Sequence, residues 1–281
     1  MEVGIFMKIA YCGYDFFSDC LEVLCNMPEV EILKIFTFPT DNKYNFNCNI
    51  ISIAEENNIP YSLEPITHKD MSELFDKLGC DYIVSAAYPY KIPIDRHNGI
   101  NIHPTLLPIG RGPWPLPRVI LSQQKESGVT IHKLTDKLDS GDILIQGKFP
   151  ILPREDLETL SCRSQILAKQ LLTELFSDFD NYWNNAVEQL GGEYWNYPTE
   201  EEMTFSGEMT VDEIDLIVRA YGKFDSCVKF LGKSWLVWDV NCWKEQHNCT
   251  PGEIVHKTNK EYVLAAKDGF VCIRFLIEEE M

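Results

Sequence analysis

The sequence predicts an α/β protein: a mostly parallel sheet with helices on both faces, followed by a small β-rich module. Three observations predict it. Short apolar runs alternate with helical patterns at about 25 to 30 residues per unit, the spacing of parallel strands joined by crossover helices. The run from Asp81 to Ala87, Asp-Tyr-Ile-Val-Ser-Ala-Ala, reads as a strand of the buried type. After Gly191-Gly192 the helical patterns give way to short strand patterns punctuated by Gly and Pro.

The elements follow in order. Met7 to Cys12 is an apolar run ending at Gly13, and Phe16 to Met27 has helical period. Val30 to Phe38 is a strand cut by Pro39. Ile50 to Asn57 is helical and stops at Asn58-Ile59-Pro60. His68 to Leu78 is amphipathic, with Gly79 placed as a C-terminal cap. Gly99 to His103 is the next strand after Asp81 to Ala87. A helix from Trp114 to Gln124, strands at Gly128 to Leu134 and Ile143 to Lys148, and a long helical stretch from Asp156 to Trp183 complete a Rossmann-like domain over 1–190. Residues 191–203, polar and holding Pro198, read as a linker. In 204–281, Val211 to Ala220 is helical. Strand patterns follow at Val228 to Phe230, Ser234 to Trp238, Gly252 to His256, Tyr262 to Ala266 and Val271 to Leu276, punctuated by Gly232, Pro251-Gly252 and Asp268-Gly269. That pattern suits a small barrel or sandwich.

Composition narrows the function classes. With 281 residues and 45% hydrophobic side chains, the chain can bury a real core, which excludes a disordered or disulfide-stapled protein. Asp and Glu number 43 against 25 Lys and Arg, a net charge of −18. Such a surface repels phosphate backbones, and no basic patch interrupts it, so nucleic acid is not an expected partner. Glu200-Glu201 and Glu278-Glu279-Glu280 read as solvated ends. The ten cysteines form no CxxC and no zinc-finger spacing, and they read as reduced thiols, with Cys80 and Cys272 as core filler. The N-terminal stretch has neither a basic n-region nor a small-residue cleavage site, and no apolar run is long enough to span a bilayer. The expected location is cytoplasmic, with no membrane partner.

The stretch Gly99-Ile-Asn-Ile-His-Pro-Thr-Leu-Leu-Pro108 is the most informative. Asn101 and His103 are two apart on a strand, so their side chains share a face. In open α/β sheets the C-terminal ends of strands are where ligands bind. Pro104 and Pro108 stiffen the exit loop. A carboxylate is available at Asp139, in Leu138-Asp-Ser-Gly-Asp142, which is turn chemistry. Taken singly, His103 is as well explained as a hydrogen-bonded strand-end histidine, and Asp139 as a turn residue.

Together the local sequences carry more. Asn101-Ile-His103-Pro-Thr-Leu-Leu-Pro108, Gly128-Val-Thr-Ile-His-Lys-Leu134 and Leu138-Asp-Ser-Gly-Asp142 resemble the signature of the 10-formyltetrahydrofolate-dependent formyltransferases. This family includes glycinamide ribonucleotide, methionyl-tRNA and nucleotide-amino-sugar formyltransferases. The resemblance covers most of 7–187. A weaker likeness over 219–276, at Arg219-Ala220, Trp235 to Trp238, Pro251-Gly252 and Lys267-Asp-Gly269, is to the OB-like barrel that ends the tRNA enzyme. The resemblance implies a formyltransferase catalytic domain with Asn101, His103 and Asp139 as catalytic residues, 10-formyltetrahydrofolate as donor, no metal, and a homodimer. Acyl transfer to an amine makes an oxyanion and moves a proton to the leaving nitrogen. Asn101 and an imidazolium at His103 are suited to the first need, with Asp139 favouring the imidazolium and receiving the amine proton. By position in the family, Tyr88, Pro89, Tyr90, Lys91 and Ile92, with Leu134, Thr135, Asp136 and Leu138, would hold the pterin. Tyr90 and Lys91 depart from the commoner aliphatic pattern.

The acceptor is read from what is missing. Family tRNA enzymes carry a long basic insertion after the second strand, whereas Thr37 to Ile50 is short with Lys43 its only basic residue. Residues 204–281 hold 9 Lys and Arg against 13 Asp and Glu, where a tRNA enzyme is basic. The purine-pathway enzyme is normally one domain. A nucleotide-linked amino sugar is therefore the expected acceptor, with Arg111, Gly112 and Trp114 after the catalytic strand and Gly13-Tyr14 beside the same cleft. Trp114 is equally well explained as a packing anchor at a helix start. The alternatives are methionyl-tRNA formyl transfer, folate deformylation with water as acceptor, and a non-catalytic folate-binding relative. The intact Asn101, His103 and Asp139 argue against the last.

Overall fold

The computed structural model describes residues 7–40, 45–230, 233–259 and 261–278. The first six residues, Lys43, Gly232 and Glu279-Glu280 lie outside them. The chain groups into two units. One comprises the residues up to Pro113 with Glu126–Phe149 and Ser161–Trp195. The other comprises Trp114–Lys125, Pro150–Leu160 and the residues from Asn196 on.

The first unit is built on seven strands: β1 (Met7–Gly13), β2 (Val30–Phe36), β3 (Tyr61–Ser62), β4 (Tyr82–Ala86), β5 (Gly99–His103), β7 (Glu126–Lys133) and β8 (Ile143–Pro150). Between β5 and β7 the chain forms β6 (Ile109–Arg111). The sheet order is β3-β2-β1-β4-β5-β7-β8, parallel from β3 to β5 and antiparallel between β5 and β7. The order reverses beside β1, because β2 lies on one side of it and β4 on the other. The loops after β1, β4 and β5 therefore meet at the kind of crevice where such sheets bind ligands.

Both faces of the sheet are covered. Alternation along β1 sends Ile9 and Tyr11 to one core, and Ala10 and Cys12 to another. The first core receives apolar side chains of α1 (Ser18–Cys25), α2 (Cys48–Glu56) and two later helices, α5 (Leu157–Ser177) and α6 (Phe179–Asn184). The second receives Met71 of α3 (His68–Ser72) and Leu74 of the π-turn that follows it. Thr67 and Asp70 form a capping box that starts α3. Asp15 receives the N–H groups of Asn49 and Ile50, satisfying the first turn of α2 from a distance in sequence.

The long helical stretch expected over 156–183 is two helices, because Asp178 takes extended φ and breaks the hydrogen-bond ladder between them. Residues 191–203 carry structure: β9 (Glu193–Tyr194) pairs with β6 in a separate ribbon, and α7 (Glu200–Met203) has its own capping box from Thr199 and Glu202.

In the second unit, Pro115 opens α4 (Pro115–Leu121) at its first position, where proline costs no hydrogen bond. α8 (Val211–Asp225) starts from a Thr210–Glu213 capping box. A six-stranded sheet is formed by β10 (Thr204–Phe205), β11 (Cys227–Phe230), β12 (Lys233–Lys244), β13 (Ile254–Lys257), β14 (Tyr262–Ala266) and β15 (Gly269–Glu278), in the order β10-β11-β12-β15-β14-β13. Apart from the parallel β10–β11 pair it is antiparallel. Val211, Ile214 and Val218 of α8 share a core with Val237, Leu264 and Ile273 of the sheet. β12 and β15 are longer than the sequence pattern indicates, and a bulge near Asp239 interrupts their pairing.

Candidate active site

Asn101 and His103 stand on one face at the C-terminal end of β5, as their spacing requires. The antiparallel register places His132 of β7 opposite Asn101. The turn after β7 brings Asp139 back over the same face. Asp139 Oδ1 lies 3.3 Å from Asn101 Nδ2, 3.6 Å from His103 Nδ1 and 3.7 Å from His132 Nε2. Its Oδ2 accepts the Gly112 N–H at 2.9 Å. His103 and Asp139 are 4% and 5% exposed; Asn101 is half-buried and is the most accessible of the three.

The hydrogen bonds fix the tautomers. His132 Nδ1 donates to Lys133 O at 2.8 Å, so its Nε2 is the acceptor of the 3.2 Å bond from Asn101. His103 Nε2 donates to Gly110 O at 2.8 Å, which leaves Nδ1 toward Asp139 for the reaction. Burial pushes the His103 imidazole below its ordinary pKa, and this outweighs the opposing pull of Asp139 and Gly110 O. The resting imidazole is therefore neutral, where the sequence reading expects Asp139 to hold it as imidazolium. Burial alone would raise the Asp139 carboxyl, but the positive charge that His103 and His132 carry when protonated and the Gly112 N–H outweigh it and lower the carboxyl below its usual range.

The exit loop after β5 is braced from β7 and β8. Thr130 Oγ1 donates to Thr105 O at 2.7 Å and accepts from Leu107 N at 3.1 Å, and Gln146 Nε2 donates to Leu107 O at 2.9 Å. The Leu107–Pro108 bond is cis. Arg111 does not stand free: its Nε and Nη2 donate to Gln189 Oε1 at 3.0 and 2.8 Å.

The residues expected at the pterin separate into a floor and a rim. Ile92 is buried in the second core, with Tyr88 and Leu134 packed against it. Tyr88 is fixed by its hydroxyl, which accepts from Ile66 N at 3.1 Å, and burial pushes its phenol up. Pro89, Tyr90, Lys91, Thr135, Asp136 and Leu138 are exposed, Leu138 to 56%. An apolar floor beside an exposed Leu, with the backbone of a turn running past it, suits a flat heterocycle with amide-like edges. Tyr14, after Gly13, lies edge-on to Phe38, which in turn reaches Tyr90. Trp114 belongs to the second unit and stacks on Tyr197.

Two residues that bond to this cluster, His132 and Gln189, escape the sequence reading. His132 had a signal: Thr130 and His132 are polar residues two apart in a buried apolar strand, the pattern that singles out Asn101 and His103. Gln189 had none, because it lies 50 residues from Asp139 and reaches it only through tertiary folding.

Residues 41–176 match the formyl transferase family, and residues 198–280 match its C-terminal domain. The methionyl-tRNA formyltransferase of Enterococcus faecalis is 30% identical over 210 residues, covering 72% of this chain and 67% of that protein. The chain belongs to the folate-dependent formyltransferase family. The donor in this family is 10-formyltetrahydrofolate, and the protein is an enzyme of formyl transfer. The methionyl-tRNA formyltransferase of Rickettsia bellii is 28% identical over 285 residues, covering 97% of this formyltransferase and 92% of its own length. Among solved structures, HypX from Aquifex aeolicus superposes with a TM-score of 0.71 at 19% identity, covering 98% of this chain and 46% of that one. An N-formyltransferase from Helicobacter canadensis, solved with folinic acid and dTDP-3-aminofucose, gives 0.69 at 16% identity, covering 97% and 100%. At these identities the structural likeness establishes the fold.

Proposed function

We propose that this formyltransferase moves the formyl group of 10-formyltetrahydrofolate to the primary amine of a nucleotide-linked amino sugar, a UDP- or dTDP-3-amino- or 4-amino-deoxysugar. The observation that carries the choice of acceptor is charge. The chain is at −18, and its last 78 residues hold 9 cationic against 13 anionic side chains. A tRNA-binding surface needs several phosphate contacts from Lys and Arg.

In this reading, Asn101 Nδ2 turns one N–H from Asp139 to the oxygen that becomes negative as the amine attacks. His103 enters neutral. Its Nδ1 takes the proton released by the amine, Asp139 stabilises the imidazolium so formed, and the proton passes on to the leaving nitrogen of the folate. Asn101 keeps its second N–H on His132 Nε2, which fixes the plane of the amide. Tyr88, Ile92 and Leu134 supply the floor for the pterin, and Lys91 the cation for the carboxylates of the folate tail. Tyr14 and the Gly112 segment face the acceptor. A homodimer is part of the proposal.

A second reading, methionyl-tRNA as acceptor, is favoured by the full-length sequence likeness to enzymes of that name. The purified protein is to be assayed with 10-formyltetrahydrofolate against UDP- and dTDP-amino sugars, glycinamide ribonucleotide and charged initiator tRNA. Turnover with an amino sugar supports the proposal. Turnover with tRNA alone replaces it by the second reading.

A further inference from the structure

The backbone at Asp139 is left-handed. Its φ is +50°, a conformation that Asp tolerates in turns better than most residues and that contacts from outside the turn can hold. The bonds within its own turn close it at the base and the tip, Lys133 N donating to Asp142 O at 2.9 Å and Thr135 and Ser140 bonding each other and Lys137 O, but none of them reaches the Asp139 backbone. The side chain that does comes from 50 residues away. Gln189 Nε2 donates to Asp139 O at 3.1 Å and to Gly141 O at 2.6 Å.

The Gln189 amide is itself fixed. Its Oε1 accepts two bonds from the fork of Arg111, at 3.0 and 2.8 Å. Only the nitrogen end of the amide can donate to carbonyls and only the oxygen end can accept from a guanidinium, so its orientation is settled. Arg111 lies one residue before Gly112, whose N–H holds Asp139 Oδ2. The segment around Gln189 is sewn to the same loop, Glu193 N donating to Pro108 O at 3.0 Å and Trp195 N to Arg111 O at 2.7 Å. Beside the direct Gly112 N–H bond, the Gln189 amide thus gives a second tie between the loop after β5, which carries Gly110 and Gly112, and the turn that carries Asp139.

We propose that Gln189 is a positioning residue: its amide fixes the backbone on either side of the Asp139 turn so that the carboxylate stays against His103, and Arg111 fixes the amide. The proposal rests on the reading that Asp139 belongs to the reacting centre. Arg111 is then engaged in holding the site together.

The test compares Gln189→Glu, Gln189→Ala and Asp139→Asn with the wild type, each as the full chain. Gln189→Glu keeps an acceptor for Arg111 but sets a carboxylate oxygen, which cannot donate, against the two carbonyls, whereas Gln189→Ala removes both halves of the amide without adding charge. Two readouts are taken. One is release of tetrahydrofolate from 10-formyltetrahydrofolate, with the amines of the panel above and with water alone. The other is the ring 15N resonances of His103 in the unliganded protein, assigned by their loss in His103→Asn. Both Gln189 variants are expected to lose about 10- to 100-fold in kcat while KM for the folate stays within about 3-fold, the signature of misplaced groups rather than lost binding. The His103 resonances move in both variants, and those of His247, in the other unit, stay. Unmoved His103 resonances in Gln189→Glu overturn the proposal. So does restoration of kcat in Gln189→Glu relative to Gln189→Ala, which would make the anchorage of Arg111 the part that matters. Wild-type kcat in Gln189→Glu with a large loss in Asp139→Asn removes Gln189 and leaves the site reading standing. Undiminished kcat in Asp139→Asn removes both.

Discussion

Of Asn101, His103 and Asp139, the trio proposed to be catalytic, Asn101 has the smallest structural role and the most direct chemical one in the proposal. It is half-buried, and its amide bonds lie within the site itself. Asn101→Ala is expected to lower kcat by about 100- to 1,000-fold, the loss that follows removal of an oxyanion donor. Its melting temperature should stay close to that of the wild type, and a thermal scan beside the kinetics checks both. His103 is different, because its burial ties it to stability. Its pKa is depressed in the folded chain relative to the ordinary 6.5. The unfolded chain therefore binds a proton first as pH falls, and folding loses free energy from pH 6.5 down through the lower folded value. Asp139, depressed relative to 3.8, adds its own loss only below that pH. Urea unfolding between pH 7.5 and 5 should show the first loss in the wild type and a flatter profile in His103→Asn, on the order of one proton's linkage. An identical slope in the two proteins would mean that His103 is not buried neutral.

At the scale of elements, the ribbon of β6 and β9 is what shapes the loop of Gly110 and Gly112. Gly112 has φ +130°, and a Cβ there would lie 2.0 Å from Trp195 O. Gly112→Ala forces the ribbon apart and withdraws the N–H from Asp139. The expected cost is about 2 to 4 kcal/mol of stability, read from denaturant midpoints, together with a fall in kcat. An unchanged midpoint would show that the ribbon is loose. This ribbon was not legible in the sequence, because 191–203 is polar, holds Pro198 and pairs only two residues of β9. Asn101, His103 and Asp139 were legible for a local reason: two share a strand face at i and i+2, and the third is in a turn with its own signature. His132 reaches them only through the antiparallel register of β5 and β7, and Gln189 only through tertiary folding. The alternation of strands and crossover helices could be read because the apolar runs have the length and period of buried strands, whereas the strand order could not, because it is set by tertiary pairing. The break at Asp178 could not, because the apolar positions on both sides keep helical spacing.

At the scale of the whole molecule, the second unit draws on segments from three parts of the chain. Asp215 of α8 shows why the middle one belongs. It accepts from Arg154 Nη2 at 2.7 Å and from Arg219 Nε at 2.8 Å, and Arg219 Nη1 donates to Glu155 O at 2.7 Å. Asp215→Ala leaves the half-buried Arg219 without its carboxylate and should cost about 2 to 3 kcal/mol, measured by urea unfolding. A cost below about 0.5 kcal/mol would class the pair as an ordinary surface salt bridge. No helix among the described residues is long and apolar enough to cross a membrane. The −18 charge sets the long-range field of the molecule and speaks to which acceptors can approach it, while the proposed chemistry rests on Asp139 and three side chains, Asn101, His103 and His132, each within 4 Å of it. The most direct measurement is the rate of tetrahydrofolate release from 10-formyltetrahydrofolate in the presence of UDP- and dTDP-amino sugars, compared between the wild type and His103→Asn. The expected result is turnover by the wild type and a loss of about 1,000-fold or more in a variant that still melts cooperatively. A variant within about 10-fold of the wild type, only about 1.4 kcal/mol of barrier, would contradict the role of this site in formyl transfer.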